Sequence, residues 1–79
     1  MKIADGFDGA VLGVGRRCSQ PDLVVYSYEK CVAVLEAQGL SHEDALEHME
    51  FNVVGAWMGD ETPIFVHEMS LDELLQRAE

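Results

Sequence analysis

The spacing of apolar residues changes period several times along the chain, and each change predicts an element. The stretch GAVLGVG, residues 9–15, is apolar, bounded by glycines and too short for a helix, so it predicts a buried strand. A turn-rich segment, RRCSQPD, separates it from LVVYS, whose β-branched and aromatic residues predict a second strand over about residues 23–26, paired with the first as a hairpin. From Tyr28 the period becomes helical: Tyr28, Cys31, Val32 and Leu35 share a face, Ser27 is placed as N-cap and Gly39 as the C-terminal stop. SHED opens a second helix, with Ser41 as cap and Glu43 and Asp44 complementing the positive end of the helix dipole. Its stripe of Ala45, Leu46, Met49, Val53, Ala56 and Trp57, widened by Phe51 and Val54, predicts a second half buried almost all round or covered by a partner. TPIFVH predicts a third strand led by Pro63, and Ser70 with Glu73 forms the S-x-x-E capping box of a third helix whose apolar side is Leu71, Leu74 and Leu75.

The order is therefore β-β-α-α-β-α. It predicts an α+β fold: a small three-stranded, at least partly antiparallel sheet with helices packed on one face, in a single domain spanning residues 1–79. An apolar fraction of 48%, with bulky residues among it, excludes a disordered chain, and 79 residues leave no room for a second core. Nothing approaches the roughly 18 consecutive apolar residues of a membrane span, and the first ten residues hold no apolar stretch of signal-peptide length. With two cysteines, fewer than secreted domains of this size usually carry, the expectation is a cytoplasmic protein with reduced thiols.

Charge sharpens the picture. The formal net charge is −10, unevenly spread: residues 1–40 hold five carboxylates against four basic side chains, and residues 41–79 hold ten against Arg77 alone. Such a field disfavours nucleic acid and membrane surfaces and draws basic partners. Glu43, Glu47 and Glu50 fall at i, i+4 and i+7 on one helix face, and Asp60, Glu61, Asp72 and Glu73 extend that surface if the third helix lies nearby. Regularly spaced carboxylates on a rod imitate a phosphate backbone, so mimicry of DNA charge stands beside the plainer reading of a solvated helix face.

The opposite sign is concentrated in the GVGRRCSQPD turn. Arg16 and Arg17 have the fork geometry to hold a phosphate or carboxylate, but the glycine spacing matches no phosphate-loop or dinucleotide motif. The alternative is a structural clasp in which the pair binds Asp22 across the turn, or the acidic half of the chain. Cys18 beside two cations has the setting of a reactive thiol, yet nothing in the sequence brings His42, His48 or His67 to it as a base. Cys31 is expected in the core. HEDALEH places His42 and His48 six apart, which does not fit a zinc helix, and Asp44 with His48 is expected to form an i, i+4 surface pair. Asn52 falls on the buried stripe, where its amide needs backbone or the arginine turn as partner. No metal or cofactor is implied.

Two stretches, DGFDGAVLGVGRRCSQPDLVVYSYEKC and MEFNVVGAWMGDETPIFV, resemble a family of small proteins encoded by tailed phages and prophages, over about residues 5–66. The shared pattern is a G-x-G-R-R turn, a tyrosine-bearing strand entering a K-C helix, and M-E-F-N-V-V-G before T-P; residues 67–79 lie outside it. The resemblance implies a phage origin and no mechanism. Origin and charge together lead to the expectation of a non-enzymatic protein that engages and inhibits or redirects a host protein, a nucleic-acid-binding one among the candidates. The competing readings are a small anion- or nucleotide-binding protein or enzyme built on Arg16, Arg17 and Cys18, and a homodimer that hides the end of the second helix around Trp57.

Overall fold

LVVYS forms the middle strand of the sheet, and of the three strands it alone is buried along almost its whole length. In the computed structural model, which describes residues 2–56 and 59–77, this strand is β2 (Leu23–Ser27), flanked by β1 (Val11–Gly15) and β3 (Ile64–Val66) in the order β1-β2-β3. The β1–β2 pair is antiparallel and the β2–β3 pair parallel. A parallel neighbour requires a long crossover. It is supplied by α1 (Tyr28–Ala37), α2 (His42–His48) and a widened, π-helical continuation, Met49–Val54; α3 (Leu71–Arg77) follows β3. Three helices and a mixed three-stranded sheet make this an α+β fold in the expected element order.

The strand predicted over residues 9–15 starts later, at Val11, because Asp8–Ala10 form a 3-10 turn that buries Ala10. The register of β1 on β2 shifts between Val11 and Gly13, which makes Leu12 the extra residue of a bulge. Alternation along β2 sends Val24 and Tyr26 into the core and Val25 to the opposite face. There a Cβ at Gly15 would come within 2.9 Å of the Val25 side chain, with Ile64 beside it.

The core sets Val24 and Tyr26 against Phe7, Ala10, Tyr28, Cys31, Val32, Leu35, Ala45 and Met49. Tyr26 is 1% exposed; its ring stacks on Phe65 at a centroid distance of 5.4 Å, and its hydroxyl accepts a hydrogen bond from the Ala4 N–H at 2.8 Å. Helix ends follow the expected chemistry. Ser27 Oγ accepts from the Lys30 N–H and Ser41 Oγ from the Asp44 N–H. Gly39, at φ 105°, closes α1: its own N–H reaches the Glu36 carbonyl, and the Leu40 N–H reaches the Leu35 carbonyl.

Two expectations of burial within the chain fail. The second half of the second helix is not enclosed: Phe51 is 77% exposed, Val54 is also exposed and Val53 is half-buried, while Trp57 lies outside the described residues. The widened coil from Met49 onward adds residues to each turn and swings these side chains off the α-helical stripe. Gly55 ends that coil where a Cβ would lie 2.8 Å from the Glu50 carbonyl oxygen, so the close backbone approach excludes a side chain. The third helix does not bury its leucines either. None of its residues is buried, and Leu71 is 67% exposed. His67 already stacks on Tyr28 directly after β3, and α3 begins beyond that seal.

Candidate functional site

The acidic residues singled out by sequence lie on four separate segments. Glu43 and Glu47 are exposed on α2, one turn or roughly 6 Å apart along its axis. Glu50, in the widened coil, turns back to α1, where its Oε2 accepts the Tyr28 hydroxyl at 2.8 Å. Asp60 is exposed and Glu61 half-buried in the loop before β3. The positive amino terminus, with Lys2 as a lesser contributor, holds the Glu61 carboxyl below its ordinary range. Asp72 and Glu73 are exposed in the first turn of α3; Glu73 Oε1 accepts the Ser70 N–H at 3.2 Å and Ser70 Oγ accepts the Glu73 N–H, which completes the capping box. Glu43, Glu47, Asp60, Asp72 and Glu73 have no cationic partner among the described residues.

The β1–β2 connection carries Arg16, Arg17 and Cys18, all exposed. Arg16 Nε lies 3.4 Å from Asp22 Oδ1, so one arginine spans the turn as a clasp, and Arg17 has no ion pair among the described residues. With both side chains of the clasp well exposed, its energy is small. Cys18 Sγ is 3.7 Å from the hydroxyl of Ser19, a residue at φ 60° in the left-handed region. No histidine serves it: His42 Nδ1 pairs with Glu36 Oε2 at 2.9 Å, His48 Nδ1 lies 3.4 Å from Asn52 Nδ2, and His67 stacks on Tyr28 with ring centroids 4.2 Å apart. Nucleophilic catalysis by a thiol ordinarily uses a base within hydrogen-bond reach of the sulfur. Among the described residues no group of three or more His, Cys, Asp or Glu side chains is gathered as a metal ion requires, and no helix is long and apolar enough to cross a membrane.

Two surface pairings differ from the sequence expectation. Asn52 is exposed rather than buried, and it is the partner of His48 in place of Asp44. The π-helical widening accounts for the first, since Asn52 leaves the core stripe with its neighbours. Cys31 is fully buried as expected, and burial pushes its thiol up to about 11.

What sequence reasoning missed is a cleft of about 360 Å³ between α1 and α2. Glu29, Val32 and Glu36 form one stripe along its α1 wall; His42 and Leu46 form the α2 wall, and the Tyr28–His67 stack closes one end. Burial, followed by the hydrogen bond to Glu50 and then the charge of that carboxylate, raises Tyr28 to about 12, so the phenol stays a donor. The i, i+3, i+7 spacing of Glu29, Val32 and Glu36 was visible in the chain. The closing contacts from Glu50 and His67, 22 and 39 positions away from Tyr28 in sequence, had no local signal. The arrangement can accept cationic groups: apolar side chains at its base and carboxylates at its rim suit a lysine or arginine side chain of a partner.

Comparison with family models, curated proteins and solved structures gives no match to this chain.

Proposed function

We propose that this chain is a non-catalytic binding protein of phage type that engages a basic face of a host protein in the cytoplasm, where it inhibits or redirects that protein. The observation that carries the reading is the exposure of Glu43, Glu47, Asp60, Asp72 and Glu73, without cationic partners among the described residues, in a half of the chain that carries ten carboxylates and one arginine. An uncompensated field of this kind accelerates encounter with a cationic surface and orients it. Glu29 and Glu36 at the rim of the α1–α2 cleft give such a partner a place to set a basic side chain. A nucleic-acid-binding protein is the partner class whose surface suits this charge, with the carboxylates standing where phosphates would. The engagement of Arg16 by Asp22 weighs against the alternative of a phosphate or nucleotide site at the hairpin turn.

The test is capture of host proteins on the immobilised chain at low and moderate salt, followed by competition of the captured protein with duplex DNA. The expected outcome is one retained basic protein, released by salt and by DNA, and lost when Glu43, Glu47, Asp72 and Glu73 are changed together to glutamine. Retention indifferent to salt and to those four substitutions overturns the reading. Thermal stabilisation by a nucleotide or inorganic phosphate, abolished by Arg17→Ala, favours the anion-site alternative.

A further inference from the structure

The outer edge of the sheet is β1. Among the described residues it pairs with β2 alone, and its sequence VLGVG holds no charge and no proline; the bulge at Leu12 is the one edge-blunting feature within the strand. Val11, Leu12 and Val14 are exposed by 45%, 44% and 54%. The bulge at Leu12 and the positive φ of Gly13, 149°, bend the strand locally, and from Gly13 to Gly15 it pairs with β2 in regular register. The opposite edge is different: β3 has three residues and is preceded by Pro63.

The residues bracketing β1 say what pairs with it. Exposed Asp5 and Asp8 precede the strand, and exposed Arg16 and Arg17 follow it. A strand that is acidic at one end, apolar in the middle and basic at the other is complementary to an antiparallel copy of itself, and parallel pairing would set like charges together. We infer that β1 is a self-association edge, pairing antiparallel with β1 of a second copy of this chain about a two-fold axis within the strand. In this arrangement the exposed apolar side chains of the two strands face one another, and the Arg16–Arg17 end of each copy lies toward the Asp5 and Asp8 end of the other. The sheet becomes six-stranded. β3, which leads into α3, is the far edge strand of each copy. This surface is distinct from the end of the second helix and does not depend on the host-protein reading.

The experiment is sedimentation equilibrium of the full chain from micromolar to near-millimolar concentration, with two single charge reversals, Arg17→Glu and Asp8→Arg, each checked for the wild-type circular dichroism spectrum. The wild type is expected to dimerise, and each reversal to weaken dimerisation by about tenfold or more, the equivalent of roughly 1.4 kcal/mol. Mixing the two variants is expected to restore dimers, because both ends then carry opposite charges again. Val14→Lys is expected to abolish association in every mixture; if that variant unfolds, the charge reversals decide alone. A wild type that stays monomeric throughout, a dimer unmoved by both reversals, or a mixture that fails to recover association overturns the inference.

Discussion

The Tyr28 hydroxyl donates to Glu50 Oε2 across 2.8 Å, joining the first residue of α1 to the widened coil after α2. This hydrogen bond ties the crossover to the start of α1 beside the core packing of Ala45 and Met49. Tyr28→Phe keeps the ring against His67 and deletes only the donor, and it is expected to cost about 0.5–1.5 kcal/mol. Thermal unfolding checks it, with a fall of several degrees expected for a domain of this size. The alkaline limb gives a second reading. A group raised by folding from its ordinary 10 to about 12 contributes stability that is complete below pH 10 and lost as pH climbs through 12. Cys31, raised to about 11 from 9, adds to the same limb from pH 9 upward. Chemical denaturation between pH 8 and 12 is expected to show declining stability, with a shallower decline in Tyr28→Phe.

The two thiols differ sharply in access. Cys18 is exposed in the hairpin turn and Cys31 is fully buried with its ionisation suppressed. A disulfide reagent under native conditions is expected to modify Cys18 rapidly and Cys31 only at the rate of unfolding. Two equally fast thiols would contradict the packing of α1.

Gly55 is required by space. A Cβ there would sit 2.8 Å from the Glu50 carbonyl oxygen, and backbone cannot move aside as a side-chain end can. Gly55→Ala is expected to destabilise by about 1–3 kcal/mol, as overpacking does. Gly9→Ala is the control, since nothing lies within 4 Å of its Cβ position, and a change within about 0.5 kcal/mol is expected. Paired urea melts of the two variants make the measurement.

Helix α3 holds itself together through the Ser70–Glu73 box and contributes no buried residue. Seven residues form a marginal helix without tertiary support. Amides in α3 are therefore expected to exchange with solvent far faster than those of β2, and Leu71→Ser with Leu75→Ser to leave the melting temperature unchanged. A drop of several degrees would mean that these leucines are covered after all.

Where function is read from side chains that the fold gathers, local sequence carries only part of it. Element order, the caps at Ser27, Ser41 and Ser70, and the stop at Gly39 were all readable, because capping and turn chemistry act within four residues. The exposure of Phe51 and Asn52 was not, because the hydropathy stripe assumes 3.6 residues per turn and the coil from Met49 to Val54 departs from it. The parallel placement of β3 was equally hidden, since Ile64–Val66 suits either orientation and only the crossover decides. Among candidate site residues, Arg16 and Asp22 were legible as neighbours across a short turn. Tyr28, Glu50 and His67 were not, because three distant segments have to meet before the cleft exists.

The parallel pairing of β3 with β2 sets an order of assembly. The β1–β2 hairpin and α1 close over short separations and have no need of the rest, whereas Ile64 finds Val25 only after the chain between them has been laid down. On a ribosome the nascent protein would emerge with one flank of its middle strand bare, and the Tyr26 ring would wait for Phe65 to cover it. The sheet is thus completed last by the docking of three residues, and slowing that step would lengthen the window in which a quality-control protease or chaperone finds an open sheet.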